Sequence, residues 1–357
     1  MSLDFMDSFQ KYETSFSPDI GAQMVQKGWN SASNAFADTT AANVRTQTVA
    51  LKLSNGGYAT YYYDHTDTTI IVCTGLKFKD ATAEVREVAR FEYNDGFTNN
   101  LQCTLVTTLQ NGLALFRGDS VTGTLLAQAT ANIITPGSYQ DYQIKFAAHD
   151  SLGSIAVKLN NTLVSFDVSS GLDTNNGHGN ICNQYTCHCT RGGTVTSSDR
   201  HLDSAYFMDT TGSKLNDFLG VEALVYRGYP DADSAVGYTP SSGGDNYEDV
   251  DDNTGHDDDD TYVSASTSVE DRYTQTGLPT LIDTVYAAQY VAIWRLEEGG
   301  ADTLKLIGEY GSTYKSAAKT ATTAYGTATD IDEEQPDGSE WTSVAAKGLI
   351  IGTENVP

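Results

Sequence analysis

The densest set of chemically capable side chains in this 357-residue chain is HGNICNQYTCHCTRGG, which gathers His178, Cys182, Cys187, His188 and Cys189. Thiolate and imidazole are preferred zinc ligands, and four of them suffice to enclose one ion. The C-x4-C-x-C spacing lacks the paired C-x2-C knuckles that specify zinc. Three readings therefore stay open: zinc on His178, Cys182, Cys187 and Cys189, a loop disulfide, or an unliganded loop. The run from Glu248 to Asp260 offers hard carboxylate oxygens suited to calcium, but not in the D-x-D-x-D-G-x5-E register of a calcium loop. A solvated acidic linker is the plainer reading, and no cofactor is expected to be required.

GGYATYYYDH presents Tyr58, Tyr61, Tyr62 and Tyr63. Aromatic faces stack on sugar rings, so these four form a candidate carbohydrate-binding platform. In a strand Tyr61 and Tyr63 share one face, and about half of the set is then expected to be packing. Retaining glycoside hydrolysis needs two carboxyl groups about 5–5.5 Å apart. No E-x-D-x-E strand supplies them. Glu84 and Glu87 flank Arg86 and read as a solvated face, Glu92 follows, and EDVDD (248–252) lies in the acidic run. With no G-x-S-x-G, H-E-x-x-H or Walker motif either, the chain is expected not to be an enzyme.

The elements that must position these groups are mostly strands. In YQIKFAAHD, Tyr142, Ile144 and Phe146 alternate with Gln143 and Lys145. In SIAVKLNNTLV, Ile155, Val157 and Leu159 share a face before the Asn160-Asn161 turn. NGLALFRGD repeats the form, and TVYAAQYVAIWRLE puts Tyr286, Tyr290 and Trp294 on one side. Two stretches have helical character, DATAEVREVAR (80–90) and the alanine-rich segment 31–43. DTTGSKLNDFLG (209–220) reads as a side-chain-capped turn after which Phe218 and Leu219 enter the core and begin a closing strand. Residues 228–262 hold eleven acidic residues and no lysine or arginine. Such sequence is expected to be linker, dividing the chain into 1–227, 228–262 and 263–357.

Net charge is −26, from 47 acidic and 21 basic residues. That field repels phosphate backbones and argues against nucleic-acid partners. No apolar run reaches the roughly 20 residues a membrane helix needs. The sequence start lacks a basic segment followed by an apolar core, so synthesis in the cytoplasm is the expectation. Five cysteines make an odd count, unlike a secreted disulfide framework.

The succession FMDSFQKY, GLALFRGDSVTGTLLAQ, YQDYQIKFAAHDSLGSIAVKLNNTLVSFDVSSGLDT and SAYFMDTTGSKLNDFLGVEALVY resembles the concanavalin A-like virion proteins of tailed bacteriophages. DDDDTYVSASTSVEDRYTQTGLP is similar to the second module of those proteins. The cysteine-rich segment 173–203 departs from that pattern, being longer than the link relatives carry there. The resemblance implies an all-β chain, with an N-terminal concanavalin A-like jelly-roll sandwich and a smaller C-terminal β-sandwich. It further implies a structural component of the virion, made in the bacterial host cytoplasm and displayed on capsid or tail. Expected partners are other virion proteins and further copies of the chain, with Trp29, Trp294 and Trp341 as candidate anchors. Recognition of host-surface glycans is the alternative function.

Overall fold

The computed structural model describes residues 3–9, 24–25, 28–39, 50–63, 68–78, 85–189, 199–219, 223–251, 259–297, 302–320 and 322–357. Two compact units emerge: the first includes Leu3–Asp7 and Trp29–Val225, the second spans Tyr226–Pro357. Both are built from antiparallel strands, so the chain is all-β.

In the first unit the strands are β1 (Leu3–Asp7), β2 (Ser31–Asp38), β3 (Ala50–Tyr62), β4 (Thr69–Phe78), β5 (Glu87–Asn94), β6 (Asn99–Thr107) and β7 (Leu113–Arg117). They continue as β8 (Thr124–Gln128), β9 (Gln140–Ala147), β10 (Gly153–Leu159), β11 (Thr162–Leu163), β12 (Ser170–Leu172), β13 (Gln184–His188) and β14 (Arg200–Asp209). Their order is β11-β10-β9-β4-β14-β3-β13-β5-β6-β7-β8. The long strand β3 links the two halves: Leu51–Leu53 pair with β14, whereas Tyr58–Tyr62 pair with β13. The halves fold onto each other as a sandwich, since Phe91 of β5 stacks on Phe146 of β9 with centroids 4.1 Å apart. A second aromatic layer joins Phe5, Trp29, Tyr61 and Phe207. Alternating apolar residues create this core as their polar neighbours turn outward.

Both helical expectations fail. Residues 31–38 are strand β2, and β5 begins at Glu87, with 80–84 outside the described residues. Serine, asparagine and phenylalanine weaken helix propensity in the first segment, and pairing with β3 decides the outcome. The turn after β14 is capped as expected, because Asp209 Oδ1 accepts from Thr211 N at 2.7 Å. Phe218 and Leu219, however, are half-buried residues of irregular chain, and Phe218 lies beneath Lys158 Nζ at 5.2 Å.

The second unit holds β15 (Tyr229–Ala235), β16 (Thr239–Pro240), β17 (Val263–Ser264), β18 (Glu270–Thr276), β19 (Ala288–Trp294) and β20 (Thr303–Tyr310). It continues with β21 (Ser312–Lys315), β22 (Lys319–Thr320), β23 (Gly326–Asp332) and β24 (Ile350–Val356). One sheet runs β15-β18-β24-β20-β21, and a two-stranded antiparallel sheet of β19 and β23 packs over a core containing Tyr290, Leu304, Leu306 and Trp341. The acidic segment is not a plain linker. Its first part is strand β15, and its carboxylates accept hydrogen bonds: Asp233 from Asn246 N and Tyr247 N, Asp249 from Ser241 Oγ and Ser242 N. The sequence count saw charge, whereas the fold uses that charge to satisfy backbone donors. Residues 252–258 lie outside the described residues. Among the described residues no three His, Cys, Asp or Glu side chains converge into a metal-holding group. No described helix is long and apolar enough to cross a membrane. Trp29 and Trp341 are buried within their own units, which removes them as exposed anchors; Trp294 is partly buried against the second core.

Candidate functional site

Strand β13 lies between β3 and β5, in register Gln184–Tyr62, Thr186–Thr60 and His188–Tyr58 on one side and Gln184–Glu92 and Thr186–Arg90 on the other. Tyr185 and Cys187 point into the core. Gln184, Thr186 and His188 therefore take the opposite face, together with Tyr58, Thr60 and Tyr62 of β3. A β5 bulge between Glu87 and Ala89 brings Glu87 to the face that Arg90 and Glu92 reach by plain alternation; the second register shift, at Phe91/Glu92, puts its extra residue in β6.

Beneath this face lie two buried carboxylates. Glu87, only 1% exposed, grips Arg90 in a bidentate pair, with Nε and Nη2 both at 2.9 Å. The His188 ring is 18% exposed, and its Nδ1 sits 3.5 Å from Glu87 Oε2. That nitrogen has no hydrogen-bond partner among the described residues. Tyr58 stacks on the imidazole, with centroids 5.9 Å apart and planes 16° from parallel. The second carboxylate, Glu92, accepts from Gln184 Nε2 at 2.6 Å and Thr186 Oγ1 at 2.5 Å. Asn183 extends the network by donating from Nδ2 to Tyr62 Oη at 3.3 Å.

From the core side, Arg200 donates to the Glu87 carbonyl oxygen and to Cys187 Sγ at 3.4 Å, its guanidinium 5.0 Å above the Phe78 ring. A buried carboxylate is costly unless paired. Here that cost is offset by charge-assisted hydrogen bonds that fix the half-exposed groups above it. The result is a face of two aromatic rings, an imidazole and a guanidinium, preorganised from below. Such a face can stack on a pyranose ring, hydrogen-bond its hydroxyls and move a proton through His188.

The tyrosine platform of the sequence reading splits in two. Tyr61 is sandwiched between Phe5 (5.1 Å) and Phe207 (4.4 Å), and buried Tyr63 donates its hydroxyl to Ile71 O at 3.1 Å. Neither can meet a ligand. Tyr58 and Tyr62 remain on the outer face. The zinc set does not assemble either. Cys187 and Cys189, two apart on an extended segment, share the core side, and His188 between them points away. His178 belongs to a separate loop, and all five cysteines are buried and free, which also removes the disulfide alternative. Glu87, expected with Glu84 on a solvated face, is instead a buried anchor, as is Glu92; Glu84 lies outside the described residues. The period-two pattern of QYTCH, polar at 184, 186 and 188, was the available signal for the site.

Neither a protein-family model nor a curated protein sequence matches this chain. Similar solved structures include a carbohydrate esterase from the Shiga toxin-encoding bacteriophage phi24B (17% identity, 57% of this chain and 99% of that one, TM-score 0.34). The alginate lyase Aly36B aligns at 14% identity over 57% of this chain and 95% of its own, with a TM-score of 0.39. The cellulose-induced protein Cip1 aligns at 11% identity over 57% and 96%, with a TM-score of 0.40. A Trypanosoma rangeli sialidase is also similar, at 9% identity. These likenesses extend to sandwich architecture and assign no reaction to this chain. The expectation that the chain is not an enzyme runs against the names of most of these similar structures, which are catalysts of carbohydrate chemistry.

Proposed function

We propose that the first sandwich is a carbohydrate-directed module, binding a neutral glycan chain across the β3–β13–β5 face and hydrolysing it, with His188 taking the proton of an attacking water and passing it to the leaving oxygen as the C–O bond breaks. The observation that carries this reading is the buried Glu87, which holds both Arg90 and the neighbourhood of His188. Tyr58 and Tyr62 supply stacking surface and the partly exposed Arg90 and His188 supply polar edges, while buried Gln184, Thr186 and Asn183 brace the face. A neutral ligand follows from the −26 charge, which repels polyanions at long range. Neutral polysaccharides incubated with the full chain should bind and release product. His188→Ala should abolish release with most binding retained, and Tyr62→Ala should weaken binding about fivefold, the worth of ~1 kcal/mol of stacking. No binding, or binding and release indifferent to both substitutions, refutes the assignment.

The location of the module is a second proposal, supported by the resemblance of Asp209–Gly220 and Asp257–Pro279 to tailed-phage virion proteins. On that reading the chain is carried on the particle as a homo-oligomer with other virion proteins, and its ligand is a host-surface glycan. Stoichiometric co-purification with intact particles supports it; absence from purified particles removes it.

A further inference from the structure

One end of the first sandwich gathers three hairpin tips: β5–β6, β7–β8 and β9–β10. The 174–180 loop ties them together. Thr174 N donates to His149 O and Asp150 N donates to Asn180 Oδ1, while Asn176 N donates to Gln102 Oε1 and Gln102 Nε2 donates to Gly179 O. Within this end lies a cavity of about 480 Å³. Asn99, Asn100, Arg117, Asp119, Asn176 and His178 line it. None of these residues belongs to the β3–β13–β5 face.

The lining is rigid and polar. Asn176 Nδ2 donates to Leu101 O at 2.9 Å, and its Oδ1 takes no hydrogen bond among the described residues. Asn99 Oδ1 accepts from Asn94 Nδ2 at 2.8 Å, which leaves its own amide hydrogens for a ligand. Arg117 is neutralised by an ion pair with Asp173. The tips themselves are braced by side chains that accept from backbone amides: Asp95 from Phe97 and Thr98, Asp119 from Val121 and Thr122, His149 Nδ1 from Ser151 and Leu152. Each braced tip nonetheless holds an apolar residue out in solvent: Phe97 at 95% exposure, Leu152 at 70% and Val121 at 61%. Phe97 stands two residues from Asn99, at the tip of the hairpin whose base lines the cavity.

We propose that this loop end is a second saccharide-binding site, taking the terminal residues of a neutral glycan. Amides that both donate and accept match vicinal hydroxyl groups, and the neutralised Arg117 suits an uncharged ring. Phe97, two residues before Asn99 in the same hairpin, offers a flat apolar face for stacking. The volume suits one or two sugar rings, at the small end of the ~300–1,000 Å³ usual for ligand sites. The site shares its ligand class with the proposed face but none of its residues, so either can fail alone.

The test is NMR titration of the full chain with maltohexaose, cellohexaose, xylohexaose and mannohexaose. At least one is expected to shift the amide resonances of Asn99, Asn176 and Phe97. Asn176→Ala and Phe97→Ala should each weaken that binding about tenfold, Phe97→Tyr should restore it, and His188→Ala should leave it unchanged. Phe97 is outside the core, so its truncation does not endanger folding. The proposal is overturned if no oligosaccharide shifts these resonances, if neither alanine variant weakens binding, or if Phe97→Ala only dissociates oligomers of the chain. That last result would make the tips a protein-docking surface.

Discussion

Two adjacent tyrosines with identical chemistry have opposite fates because a strand turns alternate side chains to opposite faces. Tyr61 is stacked in the core with Phe5 and Phe207, whereas Tyr62 lies half-buried on the outer face. Tyr61→Ala should therefore cost ~3–5 kcal/mol, the price of emptying a large aromatic site. Tyr62→Ala removes one long hydrogen bond to Asn183 and should cost about 1 kcal/mol or less. Urea denaturation of both variants reads the difference directly; equal costs would place the β3 register wrongly. This contrast was legible in GGYATYYYDH, since alternation alone separates Tyr61 from Tyr62. Glu87 was not. Its burial depends on the β5 bulge between Glu87 and Ala89, and its backbone carbonyl is held by a guanidinium more than a hundred residues away, Arg200; no local pattern encodes either. His188 was visible within the cysteine cluster but was left out of the zinc set of His178, Cys182, Cys187 and Cys189. Cysteines on both sides drew attention to metal, although their spacing already placed them on the other face.

At the scale of elements, the hairpin tips depend on ionised aspartates. Hydrogen bonds from the Thr98 and Phe97 backbone hold the Asp95 carboxyl below its usual range, and those from the Thr122 side chain and backbone do the same for Asp119. A carboxyl whose folded pKa is depressed contributes its stabilisation above the unfolded value of ~3.9 and loses it as pH falls through the lowered one. The tips should therefore stay formed while ordinary surface carboxylates protonate, and open only at more acid pH. Amide resonances of Phe97, Thr98, Val121 and Thr122 followed from pH 7 downward check this, and midpoints at or above the ordinary value would contradict it. Of these tips only the one at Gly118–Asp119 was marked in the sequence, at the end of NGLALFRGD, although Asn94-Asp95-Gly96 carries the same turn residues. The polar cavity they enclose was not legible, since it is made by elements distant in sequence. The same limit explains the acidic segment: β15 pairs with β18, some forty residues on, and composition carries no trace of that partner.

At the scale of the molecule, charge decides which ligands approach. A chain of net charge −26 sets up a field that attracts cations and repels polyanions over a Debye length, ~8 Å at physiological salt and ~30 Å at 0.01 M. A neutral oligosaccharide feels none of this field, because its binding rests on stacking and on hydrogen bonds to fixed partners such as Asn99 and Asn176. Its affinity for the full chain should accordingly change by less than about twofold between 0.01 and 0.15 M salt. A polyuronate of similar length, bound through the same groups, should bind more weakly at low salt and gain affinity as screening increases. Isothermal titration at the two salt concentrations separates the classes. A polyanion that binds tightest at low salt would show a local positive field outweighing the global one, with Arg90 or Arg117 released from its carboxylate to meet the ligand. That outcome would replace the neutral glycan with an acidic one.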